Sequence, residues 1–484
     1  MISICLMLNC LKVICKMKRG RAAGLDDLNV EHIRNSHPII VALITKLFNL
    51  MLLASYVPDA FGLGLAIPVP KEKFSASMTD YRCITVSSVI SKIFECCLAN
   101  KFDRYLQSSS RQLGFKRNLG CVHAIYSLRK TVDYYVKNDS TVNICTLDIT
   151  KAFDRVNHYC LLIKLFDRNV PRRIVLLLSD WFNKIYIRVR WNSKYSSFVK
   201  LRTGVRQGGI PSPAFFAIYV DDIIKKLSES KVGCTVNGLF AGVWLYADDI
   251  VLVSASLSHL QAMINICTEF ITSIDLTVNS AKCKCMRVGK QYKNQTNMVK
   301  VNDCCINWCK EIRYLGVTIV EGKLFKCNIH DNKVKFFRAA NGILAKLGTS
   351  NINVILSLLS SHCRPVLLFG LEAFDLKKSD KNKLDRCFDL VLSKIFGTYD
   401  KQCLRSCLFY CGYLPFSNQY VLQRLKFLSK LERLKFLNSD VYIVTRDADQ
   451  FTAYCNEYNL NVSDSIKSIK CKLWSHFEQS LSNL

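Results

Sequence analysis

The sequence predicts an α+β fold in which buried strands present acidic residues at their ends and amphipathic helices follow. Three observations lead there. The continuous apolar runs Val243-Trp244-Leu245 and Ile250-Val251-Leu252-Val253 enclose Tyr246-Ala247-Asp248-Asp249, the pattern of two buried strands joined by a tight turn. The stretch Val142-Asn143-Ile144-Cys145-Thr146-Leu147 alternates as a strand does and runs into Asp148. Helical spacing, by contrast, marks Phe215 to Leu227, Phe337 to Leu347 and Leu384 to Phe396.

Composition bounds the rest. The chain has 484 residues, enough for several domains' worth of core, and half of them are hydrophobic, which excludes a disordered tail. Lysine and arginine exceed aspartate and glutamate by 67 to 38, a formal charge of +29 that favours a polyanionic partner such as nucleic acid. The 24 cysteines show no C-x-x-C pair. Cys403, Cys407 and Cys411 fall on one helix face and are expected to be buried free thiols in a reducing compartment, cytoplasmic or nuclear. Met1 to Lys16 is too short to span a bilayer and lacks the basic start of a signal peptide, so no membrane partner and no secretion are expected.

In chain order, Ile39 to Val57 reads as a core helix. Leu43, Ile44, Leu47, Phe48, Met51 and Leu52 lie on its inner side, and Thr45, Lys46 and Asn49 on its outer side. Asp148 ends its strand, and Ala152-Phe153-Asp154-Arg155-Val156 then starts a helix-like turn. Asp148 is therefore either a strand-end ligand or the cap of that turn. Tyr219-Val220-Asp221-Asp222 repeats the letters of Tyr246 to Asp249, but its apolar neighbours keep helical spacing. It is expected to be a solvated helix segment followed by Lys225-Lys226. Carboxylates at the ends of buried strands are costly unless a cation meets them, and a divalent metal pair carrying nucleotide phosphates is the candidate.

The order of three segments resembles the reverse transcriptases of non-LTR (LINE-like) retrotransposons. They are Asp148-x-x-x-x-Phe153-Asp154, Gly204-Val205-Arg206-Gln207-Gly208-Gly209-Ile210-Pro211-Ser212-Pro213 and Tyr246-Ala247-Asp248-Asp249. Further segments extend the resemblance over roughly residues 18 to 320. Arg21-Ala22-Ala23-Gly24-Leu25-Asp26 is similar to K-A-P-G-x-D, and Pro70-Lys71 with Asp80-Tyr81-Arg82-Cys83-Ile84-Thr85 to P-K…Y-R-P-I-S. Gln112-Leu113-Gly114-Phe115 is similar to Q-F-G-F, Leu276-Thr277-Val278-Asn279 with Lys282 to L-x-x-N-x-x-K, and Tyr314-Leu315-Gly316 to Y-L-G.

The resemblance implies a right-hand polymerase. Fingers with an N-terminal extension would occupy residues 1–135, a palm with an antiparallel sheet 136–320, a helical thumb-like region 321–440, and a segment of unassigned role 441–484. It implies RNA-directed DNA synthesis from deoxynucleoside triphosphates on an RNA template and a DNA primer, with magnesium, or manganese in its place. Asp148, Asp248 and Asp249 would be catalytic and, with the backbone carbonyl of Ile149, would hold the metal. Lys71, or Lys73 instead, and Arg82 would clamp the triphosphate; Phe153 would exclude a ribose 2′-hydroxyl; Gln207 and Gly208 would lie against the template strand or the nascent base pair; Lys282 would donate a proton to departing pyrophosphate.

The chain departs from the family pattern at Ala23 and Cys83, where proline is usual, and at Pro211, where leucine is usual. The short stretch before Arg21 leaves no room for a nuclease domain, which suggests a fragment of a longer element or a decayed copy. The leading alternative is accordingly an inactive relic that only binds nucleic acid. An intron maturase and a telomerase-like polymerase are more distant alternatives. Arg424-Leu425-Lys426-Phe427-Leu428 returns as Arg433-Leu434-Lys435-Phe436-Leu437. It is either a basic thumb helix facing phosphates or an ordinary packing helix.

Overall fold

The computed structural model describes residues 10–71, 77–294, 297–348, 351–434, 444–445, 448–461 and 464–482. Two sheets position the site. In the first, β1 (Leu63–Pro70) pairs antiparallel with β2 (Tyr81–Ser87) and parallel with β4 (Tyr186–Trp191), which is extended by β5 (Lys194–Tyr195) and β6 (Val199–Lys200). The second sheet contains β3 (Val142–Leu147), β9 (Val243–Tyr246), β10 (Asp249–Ser254), β11 (Lys284–Val288), β12 (Val299–Val301) and β13 (Cys304–Trp308), in the order β12-β13-β11-β3-β10-β9. A hairpin of β7 (Thr235–Val236) and β8 (Leu239–Phe240) precedes β9. A small sheet of β14 (Glu311–Tyr314), β15 (Val317–Val320) and β16 (Lys326–Cys327) follows β13.

The unbroken apolar runs of β9 and β10 have a physical cause: both faces of this sheet are covered. Ile144, Trp244, Val251, Val253 and Met286 belong to one core, together with Ala124, Leu128 and Val132 of helix Cys121–Lys137. Cys145, Leu147, Leu245, Ile250 and Leu252 alternate to the opposite core, shared with helices Ser212–Glu229 and Leu257–Ser273. Successive strand residues thus serve different cores, and a register slip would exchange them.

Helix Pro38–Ala54 forms where expected, but its inward stripe is shifted. Ile44, Phe48, Met51 and Leu52 are buried, whereas Leu43 and Leu47 face solvent. Thr45 turns inward because its hydroxyl donates to the Val41 carbonyl at 2.7 Å. The expected burial of Cys403, Cys407 and Cys411 fails in a similar way. Helix Lys401–Tyr410 buries Leu404 and Leu408, which remove more apolar area from water than thiols do, so Cys403 is exposed and the other two half-buried. Every cysteine among the described residues is a free thiol.

From His330 onward the described elements are helical, and helices Ala448–Glu457 and Ile466–Ser482 add Phe451, Tyr454, Leu473 and Phe477 to the first core. Arg424 is wholly buried in helix Phe416–Leu434; it donates to the Glu372 carbonyl and sits over the Tyr126 ring at 5.1 Å. It therefore does not face phosphates, which corrects the basic-helix expectation at Arg424, while Lys426 of the same helix is only half-buried. Residues 435–437 of the second copy lie outside the described residues. Among the described residues no helix is long and apolar enough to cross a membrane.

Candidate active site

The acidic residues meet because two strands are paired in register. The β3–β10 ladder runs from Asn143↔Ser254 to Leu147↔Ile250, so one step further Asp148 stands opposite Asp249. Asp249 also pairs with Tyr246 across the β9–β10 hairpin. The two-residue tip is therefore Ala247-Asp248, and Asp249 is the first ladder residue of β10 instead of a second tip residue. Ala247 adopts a positive φ of 58°, which costs a non-glycine residue roughly 1–2 kcal/mol.

The segment after β3 is held from one side. The Asn279 N–H donates to the Asp148 carbonyl at 2.8 Å, and the Thr150 N–H donates to the Thr277 carbonyl at 2.9 Å. These bonds straddle the Ile149↔Val278 bridge, so the Ile149 peptide groups point away from residues 277–279. Among the described residues no donor reaches the Ile149 carbonyl. Asp148 ends the strand without acting as the cap of the short helix Ala152–Arg155, whose preceding position is Lys151.

Surrounding protein and negative neighbours disfavour ionisation here. Burial first, then Asp248 and Asp148, push the Asp249 carboxyl up to about 6, although one side of it stays open to solvent. Asp248 is raised by burial and by Asp148, with Arg82 opposing. Lys282 approaches Asp148 at 3.8 Å. Asp148, Asp249, Lys282, Lys284, Arg313 and Tyr314 line a cleft of about 460 Å³. The Tyr314 hydroxyl is buried there with no hydrogen-bond partner among the described residues.

Other residues singled out in the sequence lie around this centre. Phe153 stacks on Phe216, with centroids 4.5 Å apart, and meets Phe115 edge-on at 6.0 Å. Gln207 donates to Asp154 Oδ1 at 3.0 Å, and its carbonyl accepts from the Thr85 N–H of β2 at 2.7 Å. Gly208 has φ 123°, and a Cβ there would lie 2.4 Å from the Thr85 carbonyl oxygen. The close approach that this glycine permits is thus made to β2. Arg82 is exposed on β2 near Asp248, while Lys71 is exposed just beyond β1, its N–H bonded to the Asp80 carbonyl at 2.8 Å. Lys73 lies outside the described residues. The fold therefore gathers Asp148, Ile149, Asp248, Asp249, Arg82 and Lys282 at one centre and sets Phe153, Gln207 and Gly208 in a flanking group.

Two supports were not read from the sequence. Glu95, buried in helix Val89–Lys101, pairs with Arg206 at 3.1 Å and accepts from the Ile210 N–H at 2.7 Å, which anchors the loop bearing Gln207. The signal was present as a lone carboxylate in the apolar run Ile93-Phe94-Glu95-Cys96-Cys97. The second support, Gln112, sits in a recognised motif that carried no assigned role. The look-alike pair lies in helix Ser212–Glu229 as expected, but Asp221 is not solvated. It is buried, bonded to Arg168 at 2.6 Å and to the Ser109 N–H at 2.8 Å, while Asp222 pairs with Lys164.

A family model described as reverse transcriptase (RNA-dependent DNA polymerase) matches residues 69–319, and the chain belongs to that family. Its α+β architecture, with the acidic turn on an antiparallel part of the sheet, is that of the family's right-hand polymerases. The chain is 23% identical over 306 residues to the Pol polyprotein of the type-2 retrotransposable element R2DM of Drosophila melanogaster, covering 61% of this chain and 29% of that one. It is 23% identical over 404 residues to the RNA-directed DNA polymerase from mobile element jockey of the same species, covering 80% and 43%. It is 24% identical over 403 residues to the Pol polyprotein of a type-1 retrotransposable element R2 of Popillia japonica, covering 79% and 55%. The chain thus spans little more than half the length of these relatives at most. Among solved structures, apo telomerase from Candida tropicalis aligns over 62% of this chain and 67% of that one, at TM-score 0.40 and 12% identity, too loosely to carry an inference.

Reverse transcriptases as a family work with divalent metal ions, and the residues present fit such ions in chemistry. The donor set is all oxygen, suited to a hard cation, and its acidic members disfavour one another's ionisation. Asp148 and Asp249 line the same cleft, with Asp248 at the adjoining tip; among the described residues no three carboxylate, imidazole or thiol groups enclose a single ion site.

Proposed function

We propose that this chain is the polymerase portion of a non-LTR retrotransposon reverse transcriptase, extending a DNA primer on an RNA template with deoxynucleoside triphosphates. The observation that carries the reading is the ladder that brings Asp148 opposite Asp249, with Asp248 at the adjoining tip. Residues 1–135 would act as fingers, 136–320 as palm and 321–440 as thumb.

Asp148, Asp248, Asp249 and the Ile149 carbonyl would hold magnesium, or manganese in its place. When bound, such ions acidify the primer 3′-hydroxyl and offset charge on the reacting phosphate and the leaving pyrophosphate. The chain's own residues do the rest. Arg82, near Asp248, offers a planar fork to the triphosphate, and Lys71 adds a second cation from the end of β1. Phe153, backed by Phe216, presents a ring edge to the sugar and leaves no room or partner for a 2′-hydroxyl. Gln207 and Gly208 border the template side. Lys282 is near enough to the acidic centre to hand a proton to pyrophosphate. In the helical region Arg364, Lys426 and Lys470 line a cavity of about 290 Å³, and among the described residues no carboxylate pairs with them. They support contact with a phosphate backbone.

The test is primer extension on an RNA template by Asp248→Asn, which removes a ligand charge and keeps shape. Product should vanish while thermal unfolding stays cooperative. Extension at the wild-type rate would remove the metal-site assignment. A wild-type chain with salt-sensitive binding and no product would be a relic that only binds.

A further inference from the structure

The tip residue Ala247 is strained, and it is also gripped. Gln112 is completely buried, and its side chain is spent on this one turn. Its Oε1 accepts from the Ala247 N–H at 3.0 Å, and its Nε2 donates to the Ala247 carbonyl at 3.3 Å. The same Oε1 accepts from the Gly114 N–H at 3.0 Å. The side-chain amide thus treats Ala247 as a neighbouring strand would, satisfying both of its backbone groups.

The surrounding backbone holds Gln112 in place. β9 is the last strand of its sheet, and residues 111–113 cover its open edge. The Leu113 N–H donates to the Leu245 carbonyl at 2.8 Å, and the Leu245 N–H donates to the Arg111 carbonyl at 3.0 Å. Gly114 completes the contact, since a Cβ there would lie 2.4 Å from the Ala247 nitrogen. Arg111, also buried, anchors the segment by donating to the Phe240 carbonyl.

We propose that Gln112 is a positioning residue that imposes the left-handed conformation of Ala247 and so aims the Asp248 carboxylate. A glycine would adopt that conformation without cost, but alanine does not, so the turn depends on an outside grip. Without the amide, three backbone groups, two of them on Ala247, lose their partners and the tip relaxes toward a negative φ at Ala247. Asp248 is the next residue and turns with it. The catalytic consequence rests on the polymerase reading; the conformational one does not.

The experiment uses the full chain and the variants Gln112→Leu, Gln112→Asn and Ala247→Gly, alone and combined. Asparagine keeps the amide but is one methylene too short, so it controls for misfolding of the leucine variant. In single-nucleotide extension with an RNA template, kcat should fall by about tenfold to a hundredfold, the scale of an ångström-size misplacement, with KM for the nucleotide nearly unchanged. In the Ala247→Gly background the same substitutions should cost less than about threefold, because glycine no longer needs the grip. Equal losses in both backgrounds, or an unchanged kcat, would overturn the role. Amide hydrogen exchange reads the clamp independently of activity: protection at Ala247 and Gly114 should drop in Gln112→Asn. If protection persists, the clamp is wrong. If protection drops but the wild type makes no product, the polymerase reading fails and the clamp stands.

Discussion

The stretches Tyr219 to Asp222 and Tyr246 to Asp249 share their letters and differ in nearly everything physical. The first rides a helix, where Arg168, Lys164 and the Ser109 N–H neutralise both aspartates. The second closes a hairpin, where burial and a third carboxylate at the end of β3 outweigh the opposing pull of Arg82 on Asp248. A carboxylate matched by the protein is structural, whereas one left unmatched is available to a ligand. The periodicity of the flanks decides between the two fates.

The contrast breaks most directly by exchanging substitutions. Where Asp248→Asn should silence synthesis, Asp221→Asn should leave extension per folded molecule intact and lower stability by about 1–3 kcal/mol in urea denaturation, because Arg168 and the Ser109 N–H lose a charged partner. An inactive but fully stable Asp221→Asn would invert the assignment.

Phe153 joins the two regions, since it stacks on Phe216 of the look-alike's own helix. Phe153→Ala should raise ribonucleotide incorporation relative to deoxyribonucleotide by about tenfold, the order that one lost apolar contact supplies. An unchanged ratio would leave Phe153 as a core residue.

The pH response sharpens the comparison further. The Asp249 carboxyl is raised from 3.8 to about 6, so its favourable protonated contribution is present at low pH and lost as pH rises through that interval. Magnesium selects the ionised form. The melting-temperature gain on adding magnesium should therefore grow between about pH 5 and pH 7.5, reach a few degrees at saturating metal, and disappear in Asp249→Asn but not in Asp221→Asn. A gain independent of pH would separate the metal from this carboxylate. The smallest effect belongs to the helical region: Lys426→Ala should reduce the salt slope of template–primer binding by about 1.

Much of the centre was legible because strands announce their ends. Asp148 follows an alternating run, and Asp248 and Asp249 interrupt a continuous one. What was not legible depends on partners far apart in the chain. Asp221 is buried because Arg168 reaches it, and Arg424 is buried because the Glu372 carbonyl and Tyr126 receive it. Gln112 stood inside a recognisable motif, but only the fold places its amide on a residue 135 positions later. Periodicity reports which face is apolar and is silent on which polar group finds a mate.

The bond from the Thr85 N–H to the Gln207 carbonyl, with Gly208 seated against the carbonyl of the same residue, welds the loop to β2. Three residues along that strand stands Arg82. The backbone that carries Arg82 and the loop that carries Gln207 are therefore fastened to each other, and a shift of this strand would drag both along.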